Sequence, residues 1–550
     1  MYSIMASGGT ASVTARTGCR SRERRVVGRG VPMHAFWRPD TLARCGLAGL
    51  LVAALSAGCQ PADDAREPDE RTHLLIVVDG LRPDLVTAEL TPVLHDLGQR
   101  GVVFTNHHAV FPTVTRVNAA SISTGAYPAA HGLMGNTVYV PAVDAGSGVS
   151  TGSKSVLDAI ALASDGRLLT ATTLGEVLAE AGRSLVVLSS GTQGSGMLLN
   201  PTVAGGAVIH PDYTLPEELD AELADALGRR LAPEAEVADR TRWIVDVYLR
   251  YVVTELRPDV TILWMGDLDG ASHASGVGSP EALAALEAVD GEIARIMATL
   301  DDVNLLVASD HGFSTLTGEM ELDALLAPYT GTLADGLPDV VRAEGAIYVR
   351  DGSNGDDEDD AKDEKVARIV SALQRAPGYG AIFTRPSAPG APEGIVPGTL
   401  SRALVHWDHA RAADILVSAD WTPDVNEHGY AGTTSQRGTA GHGSTSPFDI
   451  HATLIAVGPD FREGAVSDVP TANVDLAPTL LRLLGLETPD TMQGRAIEEA
   501  LRGGSSAGVP VEFTMHTSES AADGASYVVS AGVSTVDGHR YLDEADGCRP

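Results

Sequence analysis

Short runs of consecutive apolar residues, each closed by a turn residue, recur along the chain. Residues 73–78 read HLLIVV and stop at Asp79-Gly80. The same form returns as SLVVLSS (184–190), VTILWMGD (260–267), NLLVASD (304–310) and HATLIAVG (451–458). Unbroken apolar runs of this length suit strands covered on both faces. Between them, apolar residues recur at helical spacing. Leu174, Val177, Leu178 and Ala181 form one such set, stopped by Gly182. Ile244, Val247, Tyr248, Tyr251 and Val252 form a second, ended near Pro258, and Leu283, Leu286, Ile293 and Ile296 lie in a third, over about 280–300. Strands alternating with helices predict a mostly parallel sheet with helices on both sides. Ligands of such folds bind beyond the carboxyl ends of the strands. Asp79, Asp269 and Asp310 lie at or just past such ends.

Residues 315–437 break this rhythm. They hold an acidic run, DGSNGDDEDDAKDE (351–364), and a Pro/Gly-rich one, RPSAPGAPEGIVPG (385–398). The pattern predicts a helix at about 365–375 and strands near 344–349 and 413–418. The segment is expected to be a cap inserted into one domain spanning 73–550. The acidic run is expected to be a solvated loop. It is not a calcium-binding hand, because the twelfth position from Asp351 is Lys362 rather than Glu.

The N-terminal region is expected to lie outside that domain. Residues 46–58, GLAGLLVAALSAG, follow Arg38 and Arg44. The run is too short to span a membrane and suits the apolar part of a signal peptide. It ends at Ser56-Ala57-Gly58-Cys59, which resembles the lipobox of bacterial lipoproteins, with Ser where Leu is usual. The resemblance implies cleavage after residue 58, lipidation of Cys59, a flexible tether over 59–72 and membrane association through the lipid. Gln60 after the cysteine would direct such a protein to the outer membrane of a two-membrane cell. An ordinary secretory signal, giving a periplasmic or extracellular protein, and an uncleaved anchor are the alternatives. Residues 1–32 are Arg-rich and patternless, so translation from Met33 would give a more usual signal length. Of the four cysteines, Cys19, Cys45, Cys59 and Cys548, only the last would remain free, so no intramolecular disulfide is expected.

Charge narrows the choice of partner. The chain carries −34, and residues 1–58 hold eight Arg against two acids, which leaves −40 from Cys59 onward. A surface this acidic argues against a nucleic-acid polymer as partner. A small phosphate ester remains compatible, since bound cations reverse the local field.

A hydrolytic two-metal site needs carboxylates and imidazoles converging from several strand ends, and a nucleophile shared with one ion. Eleven residues fit that requirement in order and kind: Asp79, Thr115, Asn136, Asp269, His273, Asp310, His311 and His442, with neighbours Gly80, Asn118 and Gly312. Each piece alone is weak. Asp310-His311-Gly312 is equally a turn with a surface histidine. Asp269 and His273 can face one ion across a loop or a helical turn. His442 sits in a glycine-flanked turn, where a lone histidine is more often simply exposed. Asp79 suits a helix cap. Thr115 suits a cap as well, and its hydroxyl is a poor nucleophile unless a metal or base takes its proton.

Together these residues resemble the nucleotide pyrophosphatase/phosphodiesterase branch of the alkaline phosphatase superfamily, over about 73–315 and 438–485. The nucleophile segment stands as Pro112-Thr113-Val114-Thr115-Arg116-Val117-Asn118 and continues to TGAYPAAHGLMGN (124–136). The resemblance implies an alkaline-phosphatase-like three-layer α/β/α core with an inserted cap. It implies Thr115 as nucleophile and metal ligand, and Asn136 as the donor to a phosphoryl oxygen. Asp79, Asp310 and His311 would hold one divalent ion, and Asp269, His273 and His442 the other. Zinc is the expected ion, and manganese or iron also suits nitrogen and oxygen donors. The expected reaction is hydrolysis of a phosphodiester, pyrophosphate or nucleotide through a phospho-threonine. Two features depart from the pattern. Arg116 stands where relatives often carry an aromatic, and either binds an anionic part of the substrate or serves structure. The stretch SSGTQGSGM (189–197) lacks the Lys-x-Arg of threonine-dependent monoesterases, which disfavours a monoester. A phosphomonoesterase or phosphonate hydrolase, or a non-catalytic surface lipoprotein, are the alternatives. Oligomeric state is not legible.

Overall fold

The computed structural model describes residues 71–228, 231, 235–350, 358–505, 508–522 and 525–550. The expected signal region, most of the tether and Cys59 lie outside these residues. Among the described residues no helix is long and apolar enough to cross a membrane.

The five apolar runs all enter one nine-stranded sheet. Its order is 465–467, 102–104, 454–457, 304–308, 73–78, 260–265, 185–189, 206–210 and 213–215. Strand His73–Val78 is central and pairs in parallel with Asn304–Ala308 on one side and Val260–Met265 on the other. Parallel pairing continues through Leu185–Ser189 to Gly206–His210. The exception among the five runs is Leu454–Val457, which runs antiparallel to Asn304–Ala308.

Alternation along the central strand explains the layers. Leu75 and Val77 pack into one core with Ala119 and Ile122 of helix Thr115–Thr124 and Leu480 of helix Leu476–Leu483. Leu74, Ile76 and Val78 pack into the other with Leu286 and Ile293 of helix Pro280–Met297 and Ile244 of helix Val237–Val247. All five strand side chains are fully buried. The result is a three-layer α/β/α sandwich whose parallel strands point their carboxyl ends toward one edge.

Several elements differ from the sequence expectations. The second predicted helix is α-helical only to Val247. It widens to a π-helix over Tyr248–Leu256 and ends at Arg257 with φ +45°. Pro258 forces this end, because the residue before a proline is disfavoured in the α conformation. The acidic run is not a loop throughout: helix Glu358–Arg375 takes in its second half. Acidic residues favour a helix N-terminus, and Lys362 and Lys365 tie this helix to Asp414 and Asp339 at 3.0 and 2.5 Å. Strands Ala346–Val349 and Ile415–Ala419 pair within a separate five-stranded sheet of order 340–343, 346–349, 415–419, 379–384 and 400–401. A three-stranded sheet, Val511–Ala522, Ala525–Val536 and His539–Cys548, closes the chain and has no counterpart among the expectations. Cys548 is disulfide-bonded, which corrects the expectation of a free thiol.

Candidate active site

Asp79 is the first residue after the central strand, and its N–H donates to the Met265 carbonyl at 3.0 Å. The sheet ladder therefore extends to the carboxylate itself. Trp264 Nε1–H donates to Asp79 Oδ2 at 2.9 Å. The other oxygen, Oδ1, is buried without a hydrogen-bond partner. Asp310 follows strand Asn304–Ala308, and Gly80 N–H donates to its Oδ1 at 3.1 Å. Its Oδ2 is likewise buried and unpartnered. Gly80 has φ +75°, a conformation glycine adopts without the penalty of a side chain. Gly312 is needed because a Cβ there would collide with the Phe448 carbonyl oxygen.

Asp269 and His273 lie one turn apart on helix Asp267–Ser275, so they share a face, with Asp269 Oδ1 3.3 Å from His273 Nε2. His442 follows the short strand Ala440–Gly441, which pairs antiparallel with Ser314–Leu316. This pairing returns the chain to the 310–313 turn after the long excursion through the second sheet. The His442 ring stacks on His311 with centroids 3.5 Å apart.

The three histidines are oriented alike. Nδ1–H of His311 donates to the Gly312 carbonyl at 2.9 Å, that of His273 to Ala440 at 2.9 Å, and that of His442 to Thr113 at 2.8 Å. A ring that spends Nδ1–H on a carbonyl keeps its Nε2 lone pair for a metal. Those lone pairs converge. His273 Nε2 lies 3.2 Å from His442 Nε2, and His442 Nε2 lies 3.4 Å from Asp269 Oδ1. His311 Nε2 lies 3.1 Å from Asp310 Oδ2 and 3.4 Å from both Asp79 Oδ1 and the Thr115 hydroxyl.

Facing lone pairs and unpartnered buried carboxylates repel one another unless a cation lies between them. Asp269 Oδ1 completes that set, being buried and unpartnered as well. Burial, with the charges of Asp310 and Asp269, pushes Asp79 well above the usual carboxylate range. Burial and Asp269 push Asp310 up to about 7. Two groups have ligand atoms close enough to hold an ion: Asp79, Asp310 and His311, and Asp269, His311 and His442. The donor set therefore fits divalent cations.

Thr115 is the first residue of helix Thr115–Thr124, and Val114 before it is extended. The approach is fixed by Asn118. Its Oδ1 accepts Val110 N–H at 2.7 Å, and its Nδ2 donates to the carbonyls of Val110 and Val114 at 3.0 and 3.1 Å. Asn473 joins this anchor to the turn that carries Asp310, donating to Asn118 Oδ1 at 3.0 Å and to the Asp310 carbonyl at 2.9 Å. Asn136 Oδ1 accepts Arg116 N–H at 2.9 Å, which turns its Nδ2 donor outward. Asn136 also lines a cleft of about 420 Å³ with apolar walls at Phe111, Val114, Met134 and Leu416, and with His273 and His442 on its boundary.

The structure thus brings Asp79, Thr115, Asn136, Asp269, His273, Asp310, His311 and His442 to one place. Trp264, Asn473 and the three carbonyl acceptors were not anticipated. Glu344 was also missed. It reaches over from the second sheet with φ +55° and accepts Asn136 N–H at 3.2 Å. A non-glycine residue held at positive φ is a signal only coordinates provide.

The sequence profile of the family described as type I phosphodiesterase / nucleotide pyrophosphatase matches residues 73–444. Ectonucleotide pyrophosphatase/phosphodiesterase family member 1 of Homo sapiens is 26% identical over 270 residues, which cover 46% of this chain and 25% of that protein. An uncharacterized pyrophosphatase/phosphodiesterase of Schizosaccharomyces pombe is 27% identical over 256 residues, 44% of this chain and 45% of that one. The matches therefore span about a quarter to a half of the length of these relatives. Murine ectonucleotide pyrophosphatase/phosphodiesterase 5 aligns in three dimensions with a TM-score of 0.53 at 18% identity, covering 78% of this chain and all of that one. An inactive form of that murine protein has been solved in complex with AMP. The alkaline-phosphatase-like α/β fold is shared with these structures.

Proposed function

The chain belongs to the type I phosphodiesterase / nucleotide pyrophosphatase family, and from that premise we propose that it hydrolyses phosphodiester or pyrophosphate bonds in a small phosphate ester or nucleotide. Thr115 is the nucleophile, and the reaction passes through a phospho-threonine. Two divalent ions, zinc by the donor chemistry, would be held by Asp79, Asp310, His311 and Thr115, and by Asp269, His273 and His442. When bound, such ions lower the pKa of a coordinated hydroxyl and offset negative charge as it develops on phosphoryl and leaving oxygens.

The rest of the mechanism falls to the chain's own groups. Thr115 Oγ1 loses its proton to solvent and attacks phosphorus, and the bond to the leaving oxygen breaks, that oxygen taking up a proton from solvent. Asn136 Nδ2 donates to a non-bridging oxygen, held in place by the bond from Arg116 N–H to its Oδ1. The dipole of the helix that starts at Thr115 favours an anion at the same spot. Water then attacks the phospho-threonine and releases the hydroxyl. The cleft beside Asn136 takes one organic arm of the ester.

One observation carries this reading: the Thr115 hydroxyl lies 3.4 Å from His311 Nε2, among carboxylates whose outer oxygens have no partner. Thr115→Ala is expected to lower turnover of bis-p-nitrophenyl phosphate by about a thousandfold or more. Bound metal, measured by elemental analysis, should be retained in good part. Turnover that survives the substitution would remove Thr115 as nucleophile. A higher kcat/KM on p-nitrophenyl phosphate than on the diester would favour a monoesterase instead.

A further inference from the structure

Arg116 follows the nucleophile directly, and its side chain is deployed in an unusual way. Its backbone N–H is taken by Asn136. Among the described residues, of its side-chain nitrogens only Nε has a hydrogen-bond partner, the Thr151 hydroxyl at a long 3.5 Å. That hydroxyl is already committed, donating to the Asn136 carbonyl at 2.8 Å. The guanidinium lies along Gly152, where an added Cβ would stand 3.9 Å from both Cζ and Nη2, so no side chain from that wall covers it. Burial lowers the Arg116 pKa, while Glu344 and then Asp79, Asp269 and Asp310 pull it back up. Glu344 spends its own carboxylate on Asn136 N–H and the Thr137 hydroxyl, at 3.2 and 3.4 Å. The outcome is a partly buried cation whose two terminal nitrogens have no hydrogen-bond partner among the described residues, one residue from the reacting hydroxyl.

A guanidinium offers a planar fork of donors that matches phosphate. Arg116 is outside the lining of the apolar cleft, beside Thr151 and Gly152. The site therefore has two unlike arms around Asn136, one apolar and one cationic.

We propose that Arg116 is a specificity-determining residue that binds a second anionic group of the substrate, so that the preferred substrates are phosphoric anhydrides carrying a further phosphate beside the one attacked, rather than diesters with two uncharged arms. This rests on the phosphodiesterase/pyrophosphatase reading above and names the substrate class within it. A charge-assisted fork to phosphate typically distinguishes ligands by one to two orders of magnitude.

The test compares metal-loaded wild type, Arg116→Met and Arg116→Lys on ATP, bis-p-nitrophenyl phosphate and p-nitrophenyl phosphate. Wild type should prefer ATP to the diester. Arg116→Met should lower kcat/KM for ATP by about thirtyfold or more, mostly through KM, and change the diester by less than about threefold. Arg116→Lys should recover part of the loss on ATP. Retained diester turnover also reports that the variant is folded. The proposal is overturned by equal losses on ATP and diester, by no loss on ATP, by a loss confined to p-nitrophenyl phosphate, or by a wild type that hydrolyses the diester but not ATP. The last outcome leaves the phosphodiesterase reading standing, whereas a wild type that hydrolyses neither removes both.

Discussion

Gly312 bears no reacting atom, yet it fixes where His311 points. Its carbonyl takes His311 Nδ1–H, and its N–H donates to the Asp449 carbonyl at 2.8 Å. A methyl group at this position meets the Phe448 carbonyl oxygen, which cannot move without disturbing the turn after Ser446. Gly312→Ala is expected to destabilise the protein by about 1–3 kcal/mol and to weaken metal binding together with it. Urea denaturation and metal titration of the one variant check both. The side chains that hold the site were legible in the sequence because each is a distinctive type at a strand end or turn. Their supports were not. Backbone carbonyls leave no mark in a sequence, and Trp264 reads as one more apolar residue of VTILWM although it carries a donor to Asp79.

Strand His73–Val78 passes between two cores, with Leu75 on one side and Ile76 on the other. Leu75→Ala and Ile76→Ala are therefore both expected to cost about 2–5 kcal/mol. A strand with one wet face would show a large loss for one and little for the other, so the pair of denaturation midpoints tests the layered arrangement directly. Strands of this kind are the easily read elements, because six consecutive apolar residues admit few other environments. Elements whose shape depends on a neighbour were read poorly. The π-helical turn over Tyr248–Leu256 keeps the apolar spacing of a helix, so periodicity alone does not separate the two. The acidic residues from Glu358 look solvated until Lys362 and Lys365 are seen reaching other elements. In the terminal sheet Val511, Phe513 and Met515 alternate with polar residues, the period expected of a strand, but that alternation does not say which strands it pairs with.

Across the whole molecule the dominant electrostatic fact is excess negative charge, and the site concentrates it. Asp310 titrates in the folded protein at about 7 against an ordinary 3.8, through burial and Asp269. A carboxyl with a raised folded pKa keeps its proton in the native state while the unfolded chain has lost it. Its contribution to stability is present below pH 4 and is lost as pH rises toward 7. Metal-stripped protein should accordingly lose stability over that interval. Stripped Asp310→Asn should lose less, and the two should converge at the acid end. Adding zinc at pH 7.5 should raise the melting temperature of wild type and do little for the variant. Thermal melts with and without a chelator across pH decide the matter, and parallel curves for the two proteins would show that Asp310 is not the group responsible.

His273 and His442 are 169 residues apart in the chain, yet their Nε2 atoms are 3.2 Å apart. Between them the polypeptide leaves the main sheet, builds the second sheet and comes back. An ion gripped by both imidazoles would work as a rivet through that large loop: it would penalise every conformation in which the loop's two ends have parted, much as a covalent crosslink does. Starving the protein of metal should then do more than silence it. The return stretch around Ala440–Gly441 would be the first part free to peel away, and proteases would find their earliest cuts there.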